Sequence, residues 1–206
     1  MAKRPAAARS SAAVRIIDAA LALAAREGWR SISLAAIAAE AGMTVLELYA
    51  VYRSKTAILE AFHRRVDAAA LAGAGAEGDE RPRDRLFDVI MRRFDALNAH
   101  KPAVAAITRD AAADPLVALC GVPALLNSMG WMLEAAGVSA SGWVGRARVK
   151  LLLGIYLSVF RVWLADDSTD MTRTMAALDA RLRNAETWLG LAVPAVAPGA
   201  AGAAAS

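Results

Sequence analysis

Between residues 12 and 26 the apolar positions Ile16, Ile17, Ala20, Leu21, Leu23 and Ala24 recur at helical spacing, and Gly28 stands where a helix would stop. The spacing predicts a first helix there. Ser33 is a good N-cap for a second, short helix with Leu34, Ile37, Ala38 and Ala41 on one face, ended by Gly42. Only Met43 separates Gly42 from Thr44, another N-cap. Two short helices joined by a glycine-containing turn describe a helix-turn-helix, whose second helix can lie in a major groove. Ser54 then caps a fourth predicted helix running through Ile58, Leu59, Phe62 and Val66 towards Leu71.

After that helix, GAGAEGDERP combines glycine with charge, the clearest boundary in the chain. Beyond it the pattern predicts five more helices. Pro82 sits at the first turn of one ending near His100, Pro102 opens the next, and Asp114-Pro115 ends it. A longer segment, 115–136, contains Gly121 and Pro123, where a kink or split is expected. Further helices follow over 143–165 and 171–189, the last with Met175, Leu178, Leu182, Ala185 and Leu189 at core spacing. The expected architecture is all-α, with about nine helices. A flexible basic segment (1–11) precedes a helix-turn-helix head (12–53), a connecting helix (54–72), a linker (73–81), a helical body (82–190) and a disordered tail (191–206).

Composition adds limits. Alanine-rich apolar content with only 6% aromatics suits helices packed closely through small side chains. The longest uncharged apolar run, 151–160, is about half of the roughly 20 residues a membrane span needs, so no stable membrane insertion is expected. The N-terminus lacks the uninterrupted apolar centre of a secretion signal, which points to the cytoplasm. Cys120 is the single cysteine and reads as a small core residue. His63 and His100 are far apart, and no metal-ligand spacing exists. No catalytic constellation or cofactor motif is recognisable, so an enzyme is not expected. The net charge of +4 is unevenly placed: ten Lys/Arg face five Asp/Glu through Arg65. A basic head on a near-neutral body is what a nucleic-acid-binding chain shows, although a solvated basic face shows it too.

The first 65 residues resemble the TetR family of one-component transcriptional regulators. The residues that carry the likeness are REGW at the end of the first helix, SLAAIAAEAGM across the second helix and turn, and LY followed by YRSK. The resemblance implies an all-helical homodimer with double-stranded operator DNA as partner, an apolar small-molecule or lipid pocket in the body, and a dimer interface on the last two helices. It implies phosphate contacts from Tyr49 and Lys55, with Thr44 capping the recognition helix and Ser33 capping the helix before it. A cation at Lys55 and backbone amides at two helix N-termini suit phosphate oxygens. With Arg53, the expected DNA-facing set is Ser33, Thr44, Val45, Leu46, Glu47, Tyr49, Arg53 and Lys55.

Base readout departs from the family's habit. Met43, Leu48 and Tyr52 should pack inward, leaving Val45, Leu46, Glu47, Ala50 and Val51 towards the groove, and none of these is a hydrogen-bond donor. Residues 44–47 also fit a T-x-x-E capping box, so Glu47 has a structural reading beside that of a cytosine acceptor.

A second likeness covers the body: VWLADDSTDMTRTMAALDARLRNAE is similar to the C-terminal domain of the Coq-nine family of lipid-binding proteins in ubiquinone biosynthesis. That family's membrane-contacting amphipathic helix has no counterpart here. Two function classes therefore stand: a ligand-responsive DNA-binding repressor, and a Coq-nine-like lipid-binding accessory protein. The expected pocket residues are Phe94, Met129, Trp131, Met132, Tyr156 and Phe160. The expected dimer face is Leu152, Ile155, Val159, Val162 and Trp163 with Leu178 and Leu182.

Overall fold

Local capping sets the head. In the computed structural model, which describes residues 3–73, 80–113 and 115–191 (side chains at 11–73, 80–113 and 121–191), helix α1 spans Lys3–Glu27. It begins well before the apolar stripe, so the expected flexible segment at 1–11 is helical from Lys3 on. Alanine is the best helix former, and Pro5 lies in the first turn, where its missing N–H removes no helical bond. Gly28, at φ 84°, ends α1 in the left-handed conformation glycine tolerates. The turn then buries Trp29 and Ile32.

Ser33 caps α2 (Leu34–Glu40) by accepting the Ala36 N–H at 3.0 Å, and Arg26 ties α1 to α2 through Glu40 at 3.0 Å. Gly42, at φ 65°, turns the chain into α3 (Val45–Val51). Ser54 caps α4 (Lys55–Leu71) through the Ala57 N–H at 3.1 Å. Helix α1 is the spine of the head: α2, α3 and α4 all pack on it.

Five helices form the body: α5 (Pro82–Asn98), α6 (Lys101–Ala112), α7 (Pro115–Ala135), α8 (Gly142–Leu164) and α9 (Thr172–Leu189). All nine helices of the described residues match predicted segments, and no strand occurs among those residues. Helix α7 runs unsplit through Gly121 and Pro123, contrary to a break there. Helix α5 lies centrally, touching α4, α6, α7 and α9, while α1 reaches the body through α6. Aromatic side chains fill the middle, with Phe94 stacked on Tyr156 at 5.3 Å and close to Trp163 at 5.9 Å. At the far end Gly190 caps α9 in the left-handed conformation and buries Leu191, so the body extends one residue past its expected limit. Residues 74–79 of the predicted linker, 192–206 of the predicted tail and the Cys120 side chain lie outside what is described.

The D-x-S-x-D turn behind the Coq-nine likeness has a local explanation. Asp166 is buried, accepts the Ser168 hydroxyl at 2.5 Å, and accepts both the backbone N–H and hydroxyl of Thr174 at 2.8 and 2.7 Å. It therefore satisfies an otherwise orphan N–H in the first turn of α9. These hydrogen bonds, the Ser168 bond foremost, outweigh burial and hold its carboxyl well below the usual carboxylate range.

Candidate nucleic-acid interface

The recognition-helix position is α3, and a complete capping box holds its start. Thr44 Oγ1 accepts the Glu47 N–H at 3.2 Å, while Glu47 Oε2 accepts the Thr44 backbone N–H at 2.8 Å and the Thr44 hydroxyl at 2.9 Å. Both hydrogen bonds lower the Glu47 carboxyl below its ordinary pKa, the backbone bond most. Of the two readings open for Glu47, the structural one is realised. Thr44 both donates and accepts inside this box, so a backbone phosphate would compete with Glu47 for its proton.

Leu48 is fully buried, and Met43 and Tyr52 pack on the core beside it, as their spacing predicts. Val51 joins them, half-buried against the core. Val45, Tyr49 and Ala50 remain outward, with Leu46 the most open at 77% exposed. Arg53 lies over the Tyr49 ring at 5.6 Å, placing a guanidinium beside the phenol at the end of α3.

Lys55 is arranged differently from the phosphate contact expected of it. Its Nζ donates to the carbonyls of Trp29 and Ile32 at 2.5 and 2.8 Å and lies over the Trp29 ring at 4.8 Å. Burial lowers its pKa, partly offset by the nearby Asp110 carboxylate. The amine thus ties the α1–α2 turn to the start of α4. The capping hydroxyls of Ser33 and Thr44, the outward side chains of α3, and Arg53 come together in one head, whereas Lys55 is turned into it.

Behind the head lies a cavity of about 250 Å³, bounded by α4, α5, α6, α7 and α8 and closed on one side by Trp29. Of the six pocket residues expected, Tyr156 and Phe160 line it. Phe94, Met129 and Met132 are fully buried in the core and do not, and Trp131 faces outward on α7, more than half exposed. Periodicity marks such residues as inward or outward but not as bordering a void. The missed lining residues include His63 and Arg93. Arg93 carried a usable signal: with Leu86, Ile90 and Leu97 it occupies a core stripe of α5, where a charge implies a buried partner. That partner is Asp67 on α4, whose second oxygen accepts the Ser128 hydroxyl at 2.6 Å. Burial, then the Arg93 charge, pushes His63 down to about 4.

The expected dimer face needs correction. Leu152, Ile155, Val159, Trp163, Leu178 and Leu182 are buried within the chain's own core, and Val162 is half-buried. Helices α8 and α9 pack against each other and on the body through these residues. Trp143, Val144, Leu151, Leu157 and Trp188 are the large apolar side chains these helices expose. Among the described residues no group of acidic, histidine or cysteine side chains has metal-binding geometry, and no single helix is long and apolar enough to cross a membrane.

Residues 16–62 match the family model described as bacterial regulatory proteins, tetR family. No curated protein matches the chain. Among solved structures, a TetR transcriptional regulator from Nitrosomonas europaea is similar at 25% identity, covering 85% of this chain and 98% of that one with a TM-score of 0.71. A TetR regulator from Rhodococcus sp. RHA1 shares the fold at 21% identity and TM-score 0.56, covering 85% and 97% of the two chains. One from Streptomyces coelicolor shares it at 19% identity and TM-score 0.52, covering 86% and 82%. The likeness to the Coq-nine family gains no support from these matches. The tetR match spans the helix-turn-helix, and the fold of the body is similar to that of solved TetR regulators.

Proposed function

We propose that this protein is a DNA-binding transcriptional regulator, acting as a homodimeric, ligand-responsive repressor. One observation carries the reading: in the segment that matches the tetR family, a capping box anchors a short helix that turns Val45, Leu46 and Tyr49 outward. The solved relatives are described as transcriptional regulators, and that role is extended to this chain here. Residues 12–53 form the DNA-binding head, α4 the connection, and 82–190 the ligand-binding and dimerising body.

Readout rests on apolar contact with thymine methyls and on DNA shape, because α3 offers no bidentate donor to base edges. Arg53 and the Tyr49 hydroxyl supply the phosphate contacts, and Lys55 orients the head. The cavity behind the head takes the effector. It touches the α1–α2 turn through Trp29, so an occupant acts on the elements that set the head's tilt. In a dimer a small tilt alters half-site spacing and hence affinity.

The test uses purified full-length protein with duplex from upstream of its own gene and with a random-sequence duplex pool. Retention of specific duplexes that weakens steeply with salt is expected. Absence of any such binding at low salt overturns the reading.

A further inference from the structure

The cavity behind the head has an unusual distribution of protons. Leu59, Phe62, Leu97, Ile107, Leu125 and Phe160 give it a mainly apolar wall, and among its described lining residues only His63, Arg93 and Tyr156 are ionisable. Arg93 has no solvent exposure. Its Nη1 pairs with Asp67, and its Nε donates to the Tyr156 oxygen at 3.2 Å. Its charge is therefore balanced by Asp67, although the side chain borders the cavity.

The third face of that guanidinium orients the histidine. Arg93 Nη2 lies 3.5 Å from His63 Nδ1. A guanidinium only donates, so Nδ1 presents its lone pair and the ring proton sits on Nε2. Burial and the adjacent cation keep the ring neutral. Tyr156, having accepted from Arg93, retains its own O–H to donate. Among the described residues no protein acceptor receives either proton. His63 also borders a second, more polar cavity of about 360 Å³, which shares Trp29, Leu59 and Gly121 with the first and is lined by Lys55, Glu60 and Asp110. The free ring proton therefore sits where the apolar cavity meets its polar neighbour.

We infer that the cavity binds a neutral, mainly apolar molecule whose carbonyl oxygen accepts a hydrogen bond from His63 Nε2–H, with the Tyr156 hydroxyl as second donor. This rests on the ligand-responsive reading above and specifies its effector class. A carboxylate is disfavoured, because an anion buried here would meet no uncompensated cation. A plain hydrocarbon would leave the buried Tyr156 hydroxyl without an acceptor and would cut the half-buried His63 N–H off from water.

Isosteric pairs test the inference: acetophenone against α-methylstyrene, and benzophenone against 1,1-diphenylethylene, with benzoate as the charged comparator. Dissociation constants are measured on full-length protein by ligand-observed NMR. Each ketone should bind about fivefold or more tighter than its hydrocarbon partner, the size of one neutral hydrogen bond, and benzoate should bind weakest. His63→Leu should bring each pair to within about twofold, and His63→Gln, which keeps an N–H donor, should restore most of the preference. Circular dichroism checks that both variants fold, and Tyr156→Phe provides an independent, smaller loss of preference. Equal affinity within the pairs, tightest binding by benzoate, or no binding of any probe overturns the inference. Salt-dependent DNA binding by the ligand-free protein is scored separately, so failure here leaves the regulator reading distinguishable.

Discussion

Asp110, near the end of α6, accepts the backbone N–H of Arg30 at 2.8 Å across eighty residues of sequence. It is a direct polar link between body and head, set in the turn that Lys55 grips from the other side. Asp110 and Lys55 also line the polar cavity beside His63. Asp110→Ala should therefore speed amide exchange at Arg30 and neighbouring turn residues, at a global cost of only about 1 kcal/mol because water can reach the freed N–H. Asp110→Asn, which keeps an acceptor oxygen, should restore most of the protection. Unchanged exchange in the alanine variant would show that apolar packing of α1 on α6 alone holds the head.

The capping box gives a prediction about α3. Thr44→Ala removes the side-chain acceptor for the Glu47 N–H and should cost about 1 kcal/mol in urea unfolding. Weakened DNA binding should accompany it, since a seven-residue helix depends on its cap and its packing more than on propensity. Glu47 has a lowered pKa in the folded protein, so its contribution is present above its unfolded value, near 4.5, and is lost as the pH falls through the folded one. If Thr44→Ala leaves both stability and DNA binding unchanged, the box does not set the helix.

His63 predicts acid sensitivity in a different window. In the unfolded chain it takes a proton near pH 6.5, but in the folded protein not until about 4. The unfolded state thus binds more protons in between, and stability falls as the pH drops from about 6.5 towards 4, by about 3 kcal/mol at most. Arg93 faces the ring and opposes protonation, with its charge balanced by Asp67, while Lys55 and Glu60 lie along the adjoining cavity. His100 is also lowered, by burial and then Arg65 against an opposing effect of Asp18, so it adds a smaller slope of the same sign. Urea midpoints between pH 7 and 4.5 should flatten in His63→Gln relative to wild type, leaving the His100 remainder. Equal slopes in the two proteins would mean that the ring is solvated.

Asp166 anchors the turn into α9 through four hydrogen bonds, to Ser168 and Thr174. Asp166→Ala would leave the Thr174 N–H and hydroxyl buried without this partner and should cost about 2–3 kcal/mol by chemical denaturation. Ser168→Ala, which removes one of the strongest bonds but no buried donor of α9, should cost less than half as much. The reverse order would place the anchor in the turn itself and not at the helix start.

Capping made the head legible from sequence. Ser33, Thr44 and Ser54 each stand one residue before a helix and each accepts the N–H that the motif assigns to it. These are short-range relationships, written in adjacent residues. The pocket was legible only in part because its wall is assembled from five helices, and periodicity sorts inward from outward without locating voids. Arg93 was readable as a buried charge by its stripe with Leu86, Ile90 and Leu97, but its link to Asp67 and His63 depends on how α4 meets α5. In α8 the stretch LLLGIYLSVF is apolar around the whole helix, so spacing alone cannot say which side faces the core.

That ambiguity decides the dimer prediction. Leu151 and Leu152 are adjacent, yet Leu152 is fully buried and Leu151 is 37% exposed. Leu151 continues an outward stripe with Trp143, Ala147 and Gly154 at helical spacing, and a Cβ added at Gly154 would meet open space. Small residues among exposed aromatic and leucine side chains suit close approach of a second helix. The protein should be dimeric at micromolar concentration by sedimentation equilibrium, and Leu151→Glu should shift it to monomer while leaving its helical content intact. Leu152→Glu instead places a charge in the core and should unfold the chain. A wild-type monomer would remove the dimer from the proposed function, and a Leu151→Glu protein that remains dimeric would move the interface away from this stripe, towards the exposed Trp188 on α9.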